Sequence, residues 1–191
     1  MNKPLKHFLI SAAVLVSCSQ SFAAEPASSE SLTALQASAE LGQSDAQFEL
    51  GNMYSTGTGV EIDLEKAFYW FSLAGEQGNT NASYNLGVMY MTGQGAEVDL
   101  ELSLDWFQRA ADLGDLVSQY SLGAMYANGR GVSRDFAVAY KWFSIAAASG
   151  DPNAQANLVL FREMLSTEQI LAGQEMATQW IEDFSSSEES K

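Results

Sequence analysis

The chain has 191 residues, 47% of them apolar, which is enough for a single domain with a substantial core. Its formal net charge is −15, from 24 acidic against 9 basic residues. That balance excludes the basic stripe a nucleic-acid binder needs to displace counterions from phosphates, and it disfavours anionic lipid head groups too.

The N-terminal segment stands apart from the rest. Lys3 and Lys6 precede the apolar run from Phe8 to Val16, and Ser21-Phe22-Ala23 puts small residues where a signal peptidase reads. The pattern predicts a signal peptide over 1–23, its apolar run too short to span a bilayer, and a linker over 24–30. The expected product is periplasmic or secreted. Leu15-Val16-Ser17-Cys18 also resembles a lipobox, so an outer-membrane lipoprotein acylated at Cys18 is the alternative. On the first reading the lone histidine, His7, and the lone cysteine, Cys18, leave with the signal. The mature chain then has no thiol, disulfide or imidazole.

From Ser31 to Leu41 the pattern predicts a lone helix closing the N-terminal end, stopped by Gly42. A repeat follows, with a period of 36 residues and no insertion. Leu50-Gly51-Asn52-Met53-Tyr54 recurs as Leu86-Gly87-Val88-Met89-Tyr90 and as Leu122-Gly123-Ala124-Met125-Tyr126. Gly57-Thr58-Gly59 recurs as Gly93-Gln94-Gly95 and Gly129-Arg130-Gly131. Asp63, Asp99 and Asp135 fall in step, as do Trp70, Trp106 and Trp142, each followed by Phe. Each unit reads as two antiparallel helices. Helix A carries Ala46, Leu50, Met53 and Tyr54 at helical spacing, and a Gly-x-Gly loop reverses the chain. An aspartate then caps helix B, which turns Ala67, Trp70, Phe71 and Ala74 inward.

Downstream, Asp151-Pro152 opens one more helix, but no Gly-x-Gly follows it. Ser166-Thr167-Glu168-Gln169 reads as a capping box for a last amphipathic helix. Its Ile170, Leu171, Met176, Ala177, Trp180 and Ile181 would seal the end of the stack. The serine-rich acidic tail 185–191 is expected to be disordered.

The pattern Ala-x-x-x-Leu-Gly-x-Met-Tyr, Gly-x-Gly, Asp, Ala-x-x-Trp-Phe, Ala resembles the Sel-1-like repeat family, relatives of tetratricopeptide repeats. The resemblance covers about 31–184. It implies an all-α fold: a right-handed α/α solenoid of three full repeats with N- and C-terminal capping helices. It also implies a concave surface for protein or peptide partners, often in bacterial envelopes. Some secreted members carry a cysteine pair in each repeat and are associated with weak β-lactam binding or hydrolysis; no repeat here contains Cys.

Counting from the Leu-Gly-x-x-Tyr core by analogy with tetratricopeptide repeats gives the candidate groove residues. They are Phe48, Asn52 and Ser55 in the first unit, Asn81, Tyr84 and Val88 in the second, and Tyr120, Ala124 and Asn128 in the third. Phe48, Tyr84 and Tyr120 would form an aromatic ladder with amides beside it, as binding surfaces use. Packing between repeats is the competing role for the rings.

Other motifs have structural readings. The Gly-x-Gly loops lack a preceding strand and a Walker lysine, so they read as turns and not as phosphate cradles. The Trp-Phe pairs read as core. Asp63, Asp99 and Asp135 read as caps; Glu61, Glu65, Glu97, Glu101 and Asp105 lie where solvated charge suits a helix start. No nucleophile elbow or Ser-x-x-Lys occurs, and no metal or cofactor site is expected.

The expected function is an exported interaction module, an adaptor or regulator in the bacterial envelope, and not an enzyme. Its partner would be a protein or peptide, with basic segments suited to the acidic first half. The alternatives are a carboxylate-dependent or β-lactam-related hydrolase of envelope substrates, and a self-associating structural protein.

Overall fold

The computed structural model describes residues 29–189. The signal segment, Cys18 and most of the linker lie outside the described residues. Within them the chain forms nine α-helices and no strand. These are α1 (Ser29–Glu40), α2 (Ser44–Thr56), α3 (Leu64–Glu76), α4 (Thr80–Thr92), α5 (Leu100–Asp112), α6 (Leu116–Asn128), α7 (Phe136–Ala148), α8 (Pro152–Met164) and α9 (Thr167–Glu189). Helix pairs α2/α3, α4/α5 and α6/α7 are the three repeats, and each packs on its neighbours along the chain.

Local chemistry sets the helix ends. The carboxylates of Asp63, Asp99 and Asp135 accept from the backbone N–H groups of Lys66, Leu102 and Val138 at 2.9–3.0 Å, as a cap requires. Asn79, Asp115 and Asp151 cap α4, α6 and α8 in the same way, accepting from Ala82, Ser118 and Ala154. Each helix A ends where Gly57, Gly93 or Gly129 adopts the left-handed backbone. The loop is then tied down: Asp63, Asp99 and Asp135 donate their N–H to the carbonyls of Tyr54, Tyr90 and Tyr126.

Two close approaches fix the spacing of the layers. Gly51, Gly87 and Gly123 lie so near the rings of Phe71, Phe107 and Phe143 that a Cβ would come within 2.7–2.8 Å of them. The glycine is what lets helix B dock; Ser103 Oγ adds a 2.7 Å bond to the Gly87 carbonyl. Between repeats, Gly95 and Gly131 press on the carbonyls of Leu64 and Leu100, leaving no room for any side chain.

The core is continuous across these seams. Phe71, Phe107, Phe143, Leu50, Leu86 and Leu122 are all buried. The tryptophans are not equivalent, contrary to the expectation that all three are core. Trp142 is 1% exposed, whereas Trp70 and Trp106 are half-buried. Trp106 lies on Gly75, with the Arg109 guanidinium over its ring at 4.6 Å. Trp142 is closed over by α9, its ring 5.9 Å from that of Trp180.

The C-terminal end differs from the expected seal. The capping box forms, with Gln169 N–H donating to Ser166 Oγ at 3.2 Å and Ser166 N–H to Gln169 Oε1 at 3.1 Å. But α9 does not pair with α8; it folds back along α7. Val159 stands in the register of Gly51, Gly87 and Gly123, where a Cβ would strike the facing phenylalanine, so α8 has no room for a helix B that carries one. Ala177 is buried against α7, and Trp180 packs beside it, while Leu171 and Ile181 of the predicted seal are exposed. The segment from Ser185, expected to be disordered, continues α9 as far as Glu189.

A buried polar seam shows what one repeat lacks. Gln47 Nε2 reaches the Ala39 carbonyl at 3.1 Å, and its Oε1 accepts from Gln77 at 2.6 Å. Gln119, in step with Gln47, reaches the Ala111 carbonyl at 3.3 Å, but its buried Oε1 has no partner. In that repeat the residue in step with Gln77 is Ser149, which is exposed. Ser149→Gln should therefore stabilise the protein by about 0.5–1.5 kcal/mol, read as a rise in the urea midpoint. An unchanged midpoint would show that the orphan oxygen costs nothing.

Candidate functional site

The nine candidate residues all lie on the first helix of a repeat: three on α2, three on α4 and three on α6. Their rings are less free than a ladder requires. Phe48 packs on Phe71 with centroids 5.8 Å apart, Tyr84 on Phe107 at 5.8 Å and Tyr120 on Phe143 at 5.5 Å. All three are half-buried. The Tyr120 hydroxyl also accepts from Asn157 Nδ2 of α8 at 3.3 Å. Burial pushes the Tyr84 phenol above its ordinary range, and Asp115 adds to the effect. The rings thus belong first to the seams, each leaving an edge at the surface.

The polar members divide. Asn52 and Asn81 are exposed, with their side-chain amides turned to solvent, while Ser55 is half-buried and its Oγ donates to the Asn52 carbonyl at 2.9 Å. Asn128 is half-buried and donates to the Ala124 carbonyl at 2.7 Å, which occupies half of its amide. Val88 and Ala124 are half-buried and pack toward the core clusters. Sequence reasoning missed the series Gln47, Gln119 and Gln155, each reaching a carbonyl of the preceding helix B. The signal was present in the 36-residue register.

The electrostatics of this face are one-sided. Helices α2, α4 and α6 contain no Lys or Arg, while Asp45, Glu49, Asn52, Asn81 and Asn85 lie along the first two. Such a surface offers acceptors and amides to a polypeptide backbone and to cationic side chains. Lys66, Arg109 and Lys141 sit on helix B instead: Lys66 pairs with Asp63 at 2.8 Å, and Lys141 lies 4.2 Å over the Trp142 ring. Partial burial pulls the Lys141 amine below its ordinary range, against the opposing pull of Asp112.

The depressions in the surface are open. One, of about 320 Å³, lies between α1 and α2; another, of about 1090 Å³, lies between the start of α3 and the second Gly-x-Gly loop. Neither contains a candidate residue. Among the described residues no cluster of His, Cys, Asp and Glu could hold a metal ion, and no helix is long and apolar enough to cross a membrane.

Stacked helix pairs with one polar, cation-free helix face define a helical-repeat interaction scaffold. Residues 44–79, 80–115 and 116–151 each match the Sel1 repeat, more than half of the chain. The chain belongs to the Sel1 repeat family, whose members are typically non-enzymatic protein-interaction modules. Among solved structures it is similar to a Sel1 repeat protein from Oxalobacter formigenes, with 40% identity and a TM-score of 0.62 over 66% of this chain and 96% of that one. It is also similar to c5321, a protective antigen of uropathogenic Escherichia coli with an SLR fold, at 32% identity and a TM-score of 0.70. That match covers 83% of this chain but 34% of the E. coli protein. The cysteine rich protein B of Helicobacter pylori shares the fold at 24% identity, with a TM-score of 0.53 over 68% of this chain and 92% of that one. No curated protein matches the chain.

Proposed function

We propose that the protein is an exported adaptor of the bacterial envelope that holds a polypeptide segment along the helix-A face of its repeats. The observation that carries the reading is the cation-free, amide-lined surface of α2, α4 and α6. Exposed amides bond an extended backbone, and neighbouring carboxylates favour a basic segment and speed its encounter. The ring edges of Phe48, Tyr84 and Tyr120 supply apolar contact beside them. Export rests on the signal pattern of residues 1–23; the lipid-anchored form at Cys18 is the variant of it.

The test is reciprocal capture from an envelope extract, using protein purified from that compartment. Its intact mass tells a start at Ala24 from an acylated Cys18. Asn52→Arg with Asn81→Arg changes two exposed positions, so the fold persists and helicity by circular dichroism stays that of the wild type. A partner held by the wild type should be lost by the double variant. Equal capture by both proteins would move the binding surface off this face, and the absence of any reciprocal partner would remove the adaptor reading.

A further inference from the structure

The two ends of the solenoid are halves of one repeat. Helix α1 lies 36 residues before α3 in register and is a helix B with no helix A before it among the described residues. Helix α8 lies 36 residues after α6 and is a helix A with no helix B, because α9 turns back along α7. The face of α8 that would meet a helix B is open: Ala156 and Val159, in step with Phe48 and Gly51, are exposed, Val159 to 57%. At the other end α1 and α2 enclose the 320 Å³ depression, lined by Ser31, Ala34, Leu35 and Ser38 with Glu49 and Met53.

We infer that the occupant of each end is the opposite end of a second copy of this chain, with α8 of one copy and α1 of the next completing a fourth repeat. Three observations favour that occupant. The first is size. In each repeat a glycine of helix A faces a phenylalanine of helix B; in the composite the same two positions are Val159 and Leu35, the larger residue on one side offset by the smaller on the other. Ser31 and Ser38 stand in step with Ala67 and Ala74, and small residues keep close approach open.

The second is charge. Position 54 faces position 66 across the first repeat, where Lys66 Nζ lies 5.2 Å over the Tyr54 ring. In the composite the first of these positions becomes Arg162. Arg162 is exposed and pairs with no carboxylate among the described residues. Glu49 lines the depression that would receive α8, which holds no basic residue. The third is geometry: the tail surface differs from the head surface, so joining them is heterologous and each added copy offers a free end until a ring closes. The chain's charge of −15 opposes association at low ionic strength, so its range is set by salt as well as concentration.

Sedimentation of the purified protein across a concentration series at physiological salt tests the inference. Mass should rise with concentration past that of a dimer. Val159→Asp spoils the tail alone and Ala34→Glu the head alone; both sites are exposed, so each variant folds. Each by itself should remain a monomer, and an equimolar mixture should give a one-to-one dimer and nothing larger. A wild type that stays monomeric at every concentration would overturn the inference. So would a variant that still assembles alone, or a mixture in which no dimer forms.

Discussion

Trp142→Ala is expected to destabilise the protein by about 3–5 kcal/mol, the range for deleting a buried large aromatic. Trp70→Ala and Trp106→Ala should cost roughly half as much, since those rings already meet water along one face. The three residues occupy one position of the repeat, so the difference measures what α9 adds. Trp142 sits in a cluster with Ile145 and Ala177, and Trp180 packs on it. At the position of Ile145 the second repeat has Arg109, which is exposed. Urea unfolding of the three variants, with hydrogen exchange to locate the loss in α7 and α9, checks the ranking. Equal costs at all three sites would show that α9 contributes little to the last repeat.

Like Gly95→Ala, its equivalent one repeat earlier, Gly131→Ala should be among the most damaging single-methyl changes in the repeats. The residue has φ +71°, which costs a side chain about 1–2 kcal/mol. Its Cβ would also overlap the Leu100 carbonyl at the start of α5, adding about 1–3 kcal/mol because backbone cannot step aside. Gly150→Ala is the matched control. Its φ is +98°, but nothing lies within 4 Å of a Cβ there, so it should show the first cost alone. The difference in unfolding free energy isolates the close approach between consecutive repeats. If the two variants lose the same stability, that contact does not set the repeat spacing.

The helix boundaries and repeat plan were legible because each rests on chemistry local to a few residues. Asp63, Asp99 and Asp135 cap because a short carboxylate reaches free N–H groups two or three residues on. The Gly-x-Gly loops reverse the chain because glycine tolerates the left-handed backbone. Repetition at 36 residues then multiplied a weak local signal into a fold. The candidate surface was legible only as a face. That Phe48, Tyr84 and Tyr120 share a position follows from the register, but their half-burial against Phe71, Phe107 and Phe143 depends on how near helix B comes.

The sequence by itself determined the three helix pairs, their caps, their shared apolar positions and the acidic character of the molecule. Tertiary structure decided what happens where the repetition stops. An amphipathic last helix has one apolar stripe, and periodicity does not say which surface it will bury. The last helix leaves α8 uncovered and packs on the flank of α7 instead, so Trp142 is buried while its two counterparts are not. Propensity and capping act over one turn of chain; the choice between two distant apolar faces is made by the shapes that meet there.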